Sequence, residues 1–105
     1  MKKIEAFIKQ HRLDDLTEAL HRVEGLKGMT VIDAKGFGRG RPDGLRDFKP
    51  ITKIEIFCNG EMAEKIVSTI SEKAHTGLRS DGKIYVTQID QACRISTGEC
   101  GDHAV

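Results

Sequence analysis

A chain of 105 residues is the size of one domain, and with 38% hydrophobic residues and only five aromatics it can bury a modest core, which favours stabilisation by oligomerisation. Seventeen Lys and Arg against sixteen Asp and Glu leave a formal charge of +1, which argues against duplex binding driven by a strong overall field and leaves local anion sites open. The residues from Met1 to Glu5 lack the apolar stretch of a signal peptide and no run is long enough to span a bilayer, so a cytoplasmic location is expected.

Residues 2–9 alternate Ile4, Ala6 and Ile8 with Lys3, Glu5 and Lys9, the period of a strand. Leu13, Leu16, Leu20 and Val23 then recur at helical spacing, with Asp14 and Asp15 at the start and Gly25 past the end, which predicts a helix over 13–24. Met29, Thr30, Val31 and Ile32 open a second strand that runs into Gly36-Phe37-Gly38. Between Arg39 and Lys49, Gly40, Pro42 and Gly44 stand among six charged residues, the composition of an exposed, mobile loop and a contact surface.

Ile51, Ile54, Ile56 and Phe57 make a third strand ending at Asn59-Gly60. Met62, Ile66 and Ile70, supported by Ala63, Val67 and Ala74, predict a helix over 61–75 with Gly77 beyond it. Lys83 to Ile89 is a fourth strand, followed by a short extended stretch around 92–95 and a polar tail. The order β-α-β-β-α-β, in two similar halves, predicts a single α+β domain of the ferredoxin-like kind, an antiparallel sheet with both helices on one face.

Two glycine-bearing loops could carry chemistry: Gly36-Phe37-Gly38-Arg39, and the stretch Thr76-Gly77-Leu78-Arg79-Ser80-Asp81-Gly82-Lys83. Glycines let backbone N–H groups approach an anion and a neighbouring Lys or Arg neutralises phosphate charge. Neither loop is a Walker A sequence or a Gly-x-Gly-x-x-Gly opening a helix, and spacing alone leaves open two ordinary turns. Arg94, in Arg94-Ile95-Ser96-Thr97-Gly98-Glu99, adds a cation beside a polar loop or is a solvated strand end.

Read together, Lys2-Lys3-Ile4-Glu5-Ala6, Leu13-Asp14-Asp15-Leu16, Gly28-Met29-Thr30-Val31, Lys35-Gly36-Phe37-Gly38-Arg39, Thr76-Gly77, Asp81-Gly82-Lys83-Ile84 and Arg94 to Glu99 resemble the PII signal-transduction family, in order and over nearly the whole chain. The resemblance implies a homotrimer over residues 1–105 with adenine-nucleotide sites in the clefts between subunits, and a T-loop, here about 39–50, that docks on a target protein such as a transporter or enzyme. Carried over by position, Thr30 would contact the adenine, and Gly36, Phe37, Gly38 and Arg39 would surround the phosphates. Arg79, Ser80, Asp81, Gly82 and Lys83 would form the B-loop, within about 76–83. Arg94, opening the C-terminal loop of about 94–105, would reach in from the adjacent subunit. ADP, AMP or ATP would be ligands, and no resident cofactor, nucleic acid or membrane insertion is implied.

The departures from the family pattern are informative. Only ten residues separate Arg39 from Pro50 and none is tyrosine, which excludes uridylylation there. Gly40 stands for the family's magnesium- and 2-oxoglutarate-binding glutamine, and Ile51 for the lysine that pairs with that effector, so the 2-oxoglutarate site should not form. Ser96 replaces a second phosphate-binding arginine, which favours ADP or AMP over ATP, and Ser80 replaces a B-loop glycine. Family members with altered T-loops include carboxysome-associated proteins that sense bicarbonate with ADP or AMP. A small anion such as bicarbonate, held near Gly40, Arg41 and Arg46, is therefore the expected second effector.

The leading expectation is thus a non-enzymatic allosteric regulator. Its rivals are slow nucleotide hydrolysis and a metal- or redox-responsive regulator linked to a transporter and built on Cys93, Cys100 and His103. Three cysteines at irregular spacing do not read as a secreted disulfide framework. Reduced thiols are expected at Cys93 and Cys100, with a disulfide or a metal site as the alternatives, and Cys58 reads as a small core residue. His11, His21 and His75 form no catalytic grouping that the sequence reveals.

Overall fold

The computed structural model describes residues 1–38 and 48–105. In chain order the elements are β1 (Lys2–Ile8), α1 (Leu13–His21), β2 (Thr30–Gly36), β3 (Lys49–Cys58), α2 (Gly60–Ala74) and β4 (Ile84–Gln88), with single 3-10 turns at Gln10–Arg12 and Asp102–Ala104. The strands lie in the order β2-β3-β1-β4, every neighbouring pair antiparallel. This is the ferredoxin-like α+β arrangement that the order of elements predicts.

Strand alternation explains how the layers meet. Ile4, Ala6 and Ile8 of β1 and Thr52, Ile54, Ile56 and Cys58 of β3 are buried because the pleat sends every second side chain to the same face. Leu16 and Leu20 of α1 and Ala63, Ile66, Ile70 and Ala74 of α2 close over that face. Complete burial of each Ile or Leu there stabilises by about 1.5–3 kcal/mol. Cys58 belongs to this core, and burial pushes its thiol pKa upward.

The first α-helix is shorter than the spacing predicts. It ends at His21, and Arg22, Val23 and Leu26 bond back to Ala19 and Leu20, to Leu20, and to Val23 respectively. These tight turns carry the chain to Gly25, whose φ of +87° leaves the helical region. The other boundaries shift by one or two residues.

On the opposite face of the sheet, Lys3, Glu5, Lys53 and Glu55 form a closed ion-pair cluster at the centre. Lys53 Nζ lies 2.8 Å from Glu5 and 3.1 Å from Glu55, and Lys3 Nζ lies 3.6 Å and 3.3 Å from the same two carboxylates. Phe7, Phe57 and Tyr85 border it, with the Lys53 ammonium 5.9 Å from the Phe7 ring and the Lys3 ammonium 6.0 Å from Phe57. Tyr85 meets Phe7 edge-on at 6.3 Å. Ile32, Phe57 and Tyr85 are each more than a third exposed on this face.

Candidate functional site

The loop between α2 and β4 has the most constrained geometry of the candidate segments. Its organiser is Asp81, whose carboxylate accepts the backbone N–H of Thr76 at 2.9 Å and of Gly77 at 3.0 Å, and the Thr76 hydroxyl. Lys9, at the exit of β1, reaches the same carboxylate at 3.2 Å and the Thr76 hydroxyl at 3.1 Å. Leu78 N–H donates to Thr76 Oγ1 at 3.2 Å, and His75 Nδ1 stands 3.6 Å from Asp81. Hydrogen bonds from Thr76, followed by those from Lys9 and Gly77, hold the Asp81 carboxyl far below the usual carboxylate range.

The loop then closes onto β1. Phe7 N–H donates to the Lys83 carbonyl at 3.0 Å, and Gly82 adopts φ +93° so tightly against β1 that a Cβ would collide with the Phe7 carbonyl oxygen. Ser80 takes φ +66°, the one non-glycine with positive φ among the described residues. The sequence flagged Ser80 as a side chain in a glycine's place, and the left-handed backbone shows the conformation that substitution must accept. A cavity of about 420 Å³ opens beside the loop, floored by Ile8, Ile70 and Ile84 and rimmed by His75, Asp81 and Lys83.

The second loop leaves β2 at Gly36. Phe37 and Phe48 pack edge-on at 5.3 Å across its two stems, and Ile51 sits next to Gly36, its Cγ2 3.9 Å from where a glycine Cβ would be. Arg39, Gly40, Arg41 and Arg46 lie outside the described residues.

The candidates divide between the two ends of the sheet. Gly36 pairs with Lys49 and Asp33 with Thr52, which in turn pairs with Ile8, while the Lys83 carbonyl accepts from Phe7. Gly36 to Gly38 and the loop 76–83 therefore share one end. Thr30 pairs with Glu55 at the start of β2, six residues from Gly36, a distance of about 20 Å along an extended strand. The segment that carries Arg94 is anchored at that far end on both sides: Ile89 N–H bonds to the Met1 carbonyl, and Val105 lines a crevice with Leu26, Phe57, Cys58 and Met62. Within one chain Thr30, and the anchored flanks of the segment that carries Arg94, lie at the opposite end of the sheet from the glycine loops.

The C-terminal loop corrects one expectation. Cys93 and Cys100 are joined by a disulfide, with Cα atoms 4.0 Å apart, where reduced thiols were expected. The pairing follows from a hairpin: Gly98 at φ +74° turns the chain, Arg94 N–H donates to Glu99, Gly98 N–H to Arg94, and Gly101 N–H to Ala92. The extended stretch expected around 92–95 is one arm of this hairpin, bridged between Cys93 and Cys100. Both sulfurs are spent in the bond, so the alternative metal set of Cys93, Cys100 and His103 does not form in this state. His103 instead pairs with Glu99 at 2.9 Å.

Sequence reasoning missed Lys9 and gave Thr76 no role. Lys9 read as one more polar residue in an alternating strand, and only the fold brings it to a loop 67 residues away.

The full length of the chain matches relatives of one kind. The family model described as nitrogen regulatory protein P-II covers residues 1–99. Proteins named nitrogen regulatory protein P-II from Azospirillum brasilense, Rhodospirillum rubrum and Bradyrhizobium diazoefficiens are 47%, 46% and 45% identical, with all of each chain covered. The chain belongs to the P-II family of nitrogen regulatory proteins. As a P-II protein it is nonetheless shorter: the alignments run over 113 positions, so at least eight have no counterpart among its 105 residues. No described helix is long and apolar enough to cross a membrane.

Proposed function

We propose that this chain is a cytoplasmic, non-enzymatic P-II regulator that binds ADP or AMP, and more weakly ATP, in clefts between the subunits of a homotrimer. The observation that carries this reading is the division of the candidates between opposite ends of one sheet. Head-to-tail packing of copies around a cyclic axis brings the loop 76–83 and Gly36 to Gly38 of one subunit against Thr30 and Arg94 of the next. The open sheet face supports self-assembly: its charges are neutralised internally and its border of exposed Ile32, Phe57 and Tyr85 gains from being covered.

The regulatory reading is favoured over hydrolysis. Asp81, the carboxylate of the phosphate loop, is engaged by Thr76, Gly77 and Lys9 and stays ionised, which makes it a weak base toward water. The second effector is a small anion such as bicarbonate, held by Arg41 and Arg46 beside Gly40, and it acts with the nucleotide to set how the T-loop docks on a target transporter or enzyme. Ile51, beside Gly36, offers no cation to a dicarboxylate such as 2-oxoglutarate.

A second reading, redox response linked to a transporter, is favoured by the Cys93–Cys100 bond, because the loop it closes carries Arg94. Calorimetric titration of AMP, ADP and ATP, each with and without bicarbonate, with 2-oxoglutarate as control and repeated under reductant, separates the readings. The carbon-sensor reading predicts that bicarbonate tightens ADP or AMP binding and that 2-oxoglutarate does nothing. Nucleotide binding that responds to reductant and ignores bicarbonate transfers the role to the disulfide, and no nucleotide binding removes the central reading.

A further inference from the structure

We propose that Lys9 and Asp81 are positioning residues for phosphate binding: together they hold the loop 76–83 in the one shape that presents its backbone and Lys83 to a nucleotide's phosphates. The inference rests on the nucleotide reading above and deepens it by assigning the loop's shape to a side chain on a different element. Asp81, the sixth of the loop's eight residues, ties its first two residues back through the N–H groups of Thr76 and Gly77. Left there, the carboxylate would add a negative charge to a site that must accept another. Lys9 supplies the counter-charge from outside the loop, bridging Asp81 at 3.2 Å and Thr76 at 3.1 Å.

Lys9 follows β1 directly, and β1 also holds the other end of the loop through Phe7 and the Lys83 carbonyl. One strand terminus thus grips the loop at both its entry and its exit. Removing the Lys9 ammonium leaves the Asp81 charge without its lysine partner beside the phosphates and takes one of the hydrogen bonds from the Thr76 hydroxyl. The effect grows with the ligand's charge and leaves the nucleoside part untouched.

The test compares adenosine, AMP and ADP binding to the full-length wild type, Lys9→Met, Lys9→Arg and Asp81→Asn. Lys9→Met should weaken ADP about tenfold, the effect of losing one charge-assisted hydrogen bond, weaken AMP less, and change adenosine less than about twofold. Lys9→Arg should restore most of the ADP affinity. Amide exchange at Thr76 and Gly77 should accelerate in Lys9→Met while the β1 and β3 amides keep their protection, which checks that the variant is folded. Wild-type ADP affinity in both Lys9→Met and Asp81→Asn, or an equal loss for adenosine and ADP, overturns the inference. A wild type that binds no nucleotide overturns instead the reading on which it rests, and the inference with it.

Discussion

Gly82 shows how a single atom can decide a loop. At φ +93° an added Cβ would meet both an unfavourable backbone region and the Phe7 carbonyl oxygen, and the carbonyl cannot move without disturbing β1. Gly98 has a similar φ of +74° but open space around it. Gly82→Ala should therefore cost about 3 kcal/mol or more, and Gly98→Ala about 1 kcal/mol, read as the urea midpoint multiplied by the slope. Equal costs at the two positions would show that backbone strain alone governs them. Some of this was legible beforehand: Gly77 and Gly82 marked a loop that needs special backbone, and Lys83 marked its charge. Lys9 was not legible, because its partner is brought to it only when α2 packs on the sheet.

At the scale of elements, periodicity carried most of the fold. The alternation of Ile4, Ala6 and Ile8, and the spacing of Met62, Ile66 and Ile70, each fixed an element's type and buried face. The end of α1 was less legible, since nothing between Leu20 and Gly25 breaks a helix on propensity alone. The Cys93–Cys100 bond was less legible again, because a spacing of seven is silent about whether a turn folds the chain back between them.

The open face of the sheet adds a pH dependence. Hydrogen bonding from Lys53, reinforced by Lys3 at Glu55, lowers the pKa of Glu5 and Glu55, and bonds from Glu5 and Glu55 raise that of Lys53. A lowered carboxylate stabilises the fold fully above its unfolded pKa and loses that contribution as pH falls through the folded one. A raised lysine stabilises below its unfolded pKa and loses the contribution as pH rises through the folded one. Stability should hold between about pH 6 and pH 9 and decline below about pH 4. In urea titrations the double substitution Glu5→Gln, Glu55→Gln should lessen that acid decline, and Asp81, whose carboxyl is lowered furthest, should account for what remains; a slope that neither this double substitution nor Asp81→Asn changes would place the acid sensitivity elsewhere.

For the molecule as a whole, the decisive feature is the length of β2. It sets Thr30 about 20 Å from Gly36, so under the proposed function residues that looked like one site in the sequence are two half-sites in the chain. The sequence offered candidate residues for phosphate binding without their distribution, since end-to-end placement exists only once strands are in register. If the proposed function holds, a ligand shared between subunits would couple each site to its neighbour, and the loop whose stems meet at Phe37 and Phe48 would be placed to respond to occupancy.

The most direct test is subunit mixing. Lys83→Ala and Arg94→Ala should each abolish tight ADP binding when every subunit carries the substitution. Unfolded together in equal amounts and refolded, the two variants form mixed trimers, and a cleft built from Lys83 of one subunit and Arg94 of the next is intact in about one case in four. Recovery of about a quarter of the wild-type ADP sites is the predicted result. No recovery, with trimers confirmed by native mass spectrometry, would mean that each chain builds its site alone, and would contradict the account.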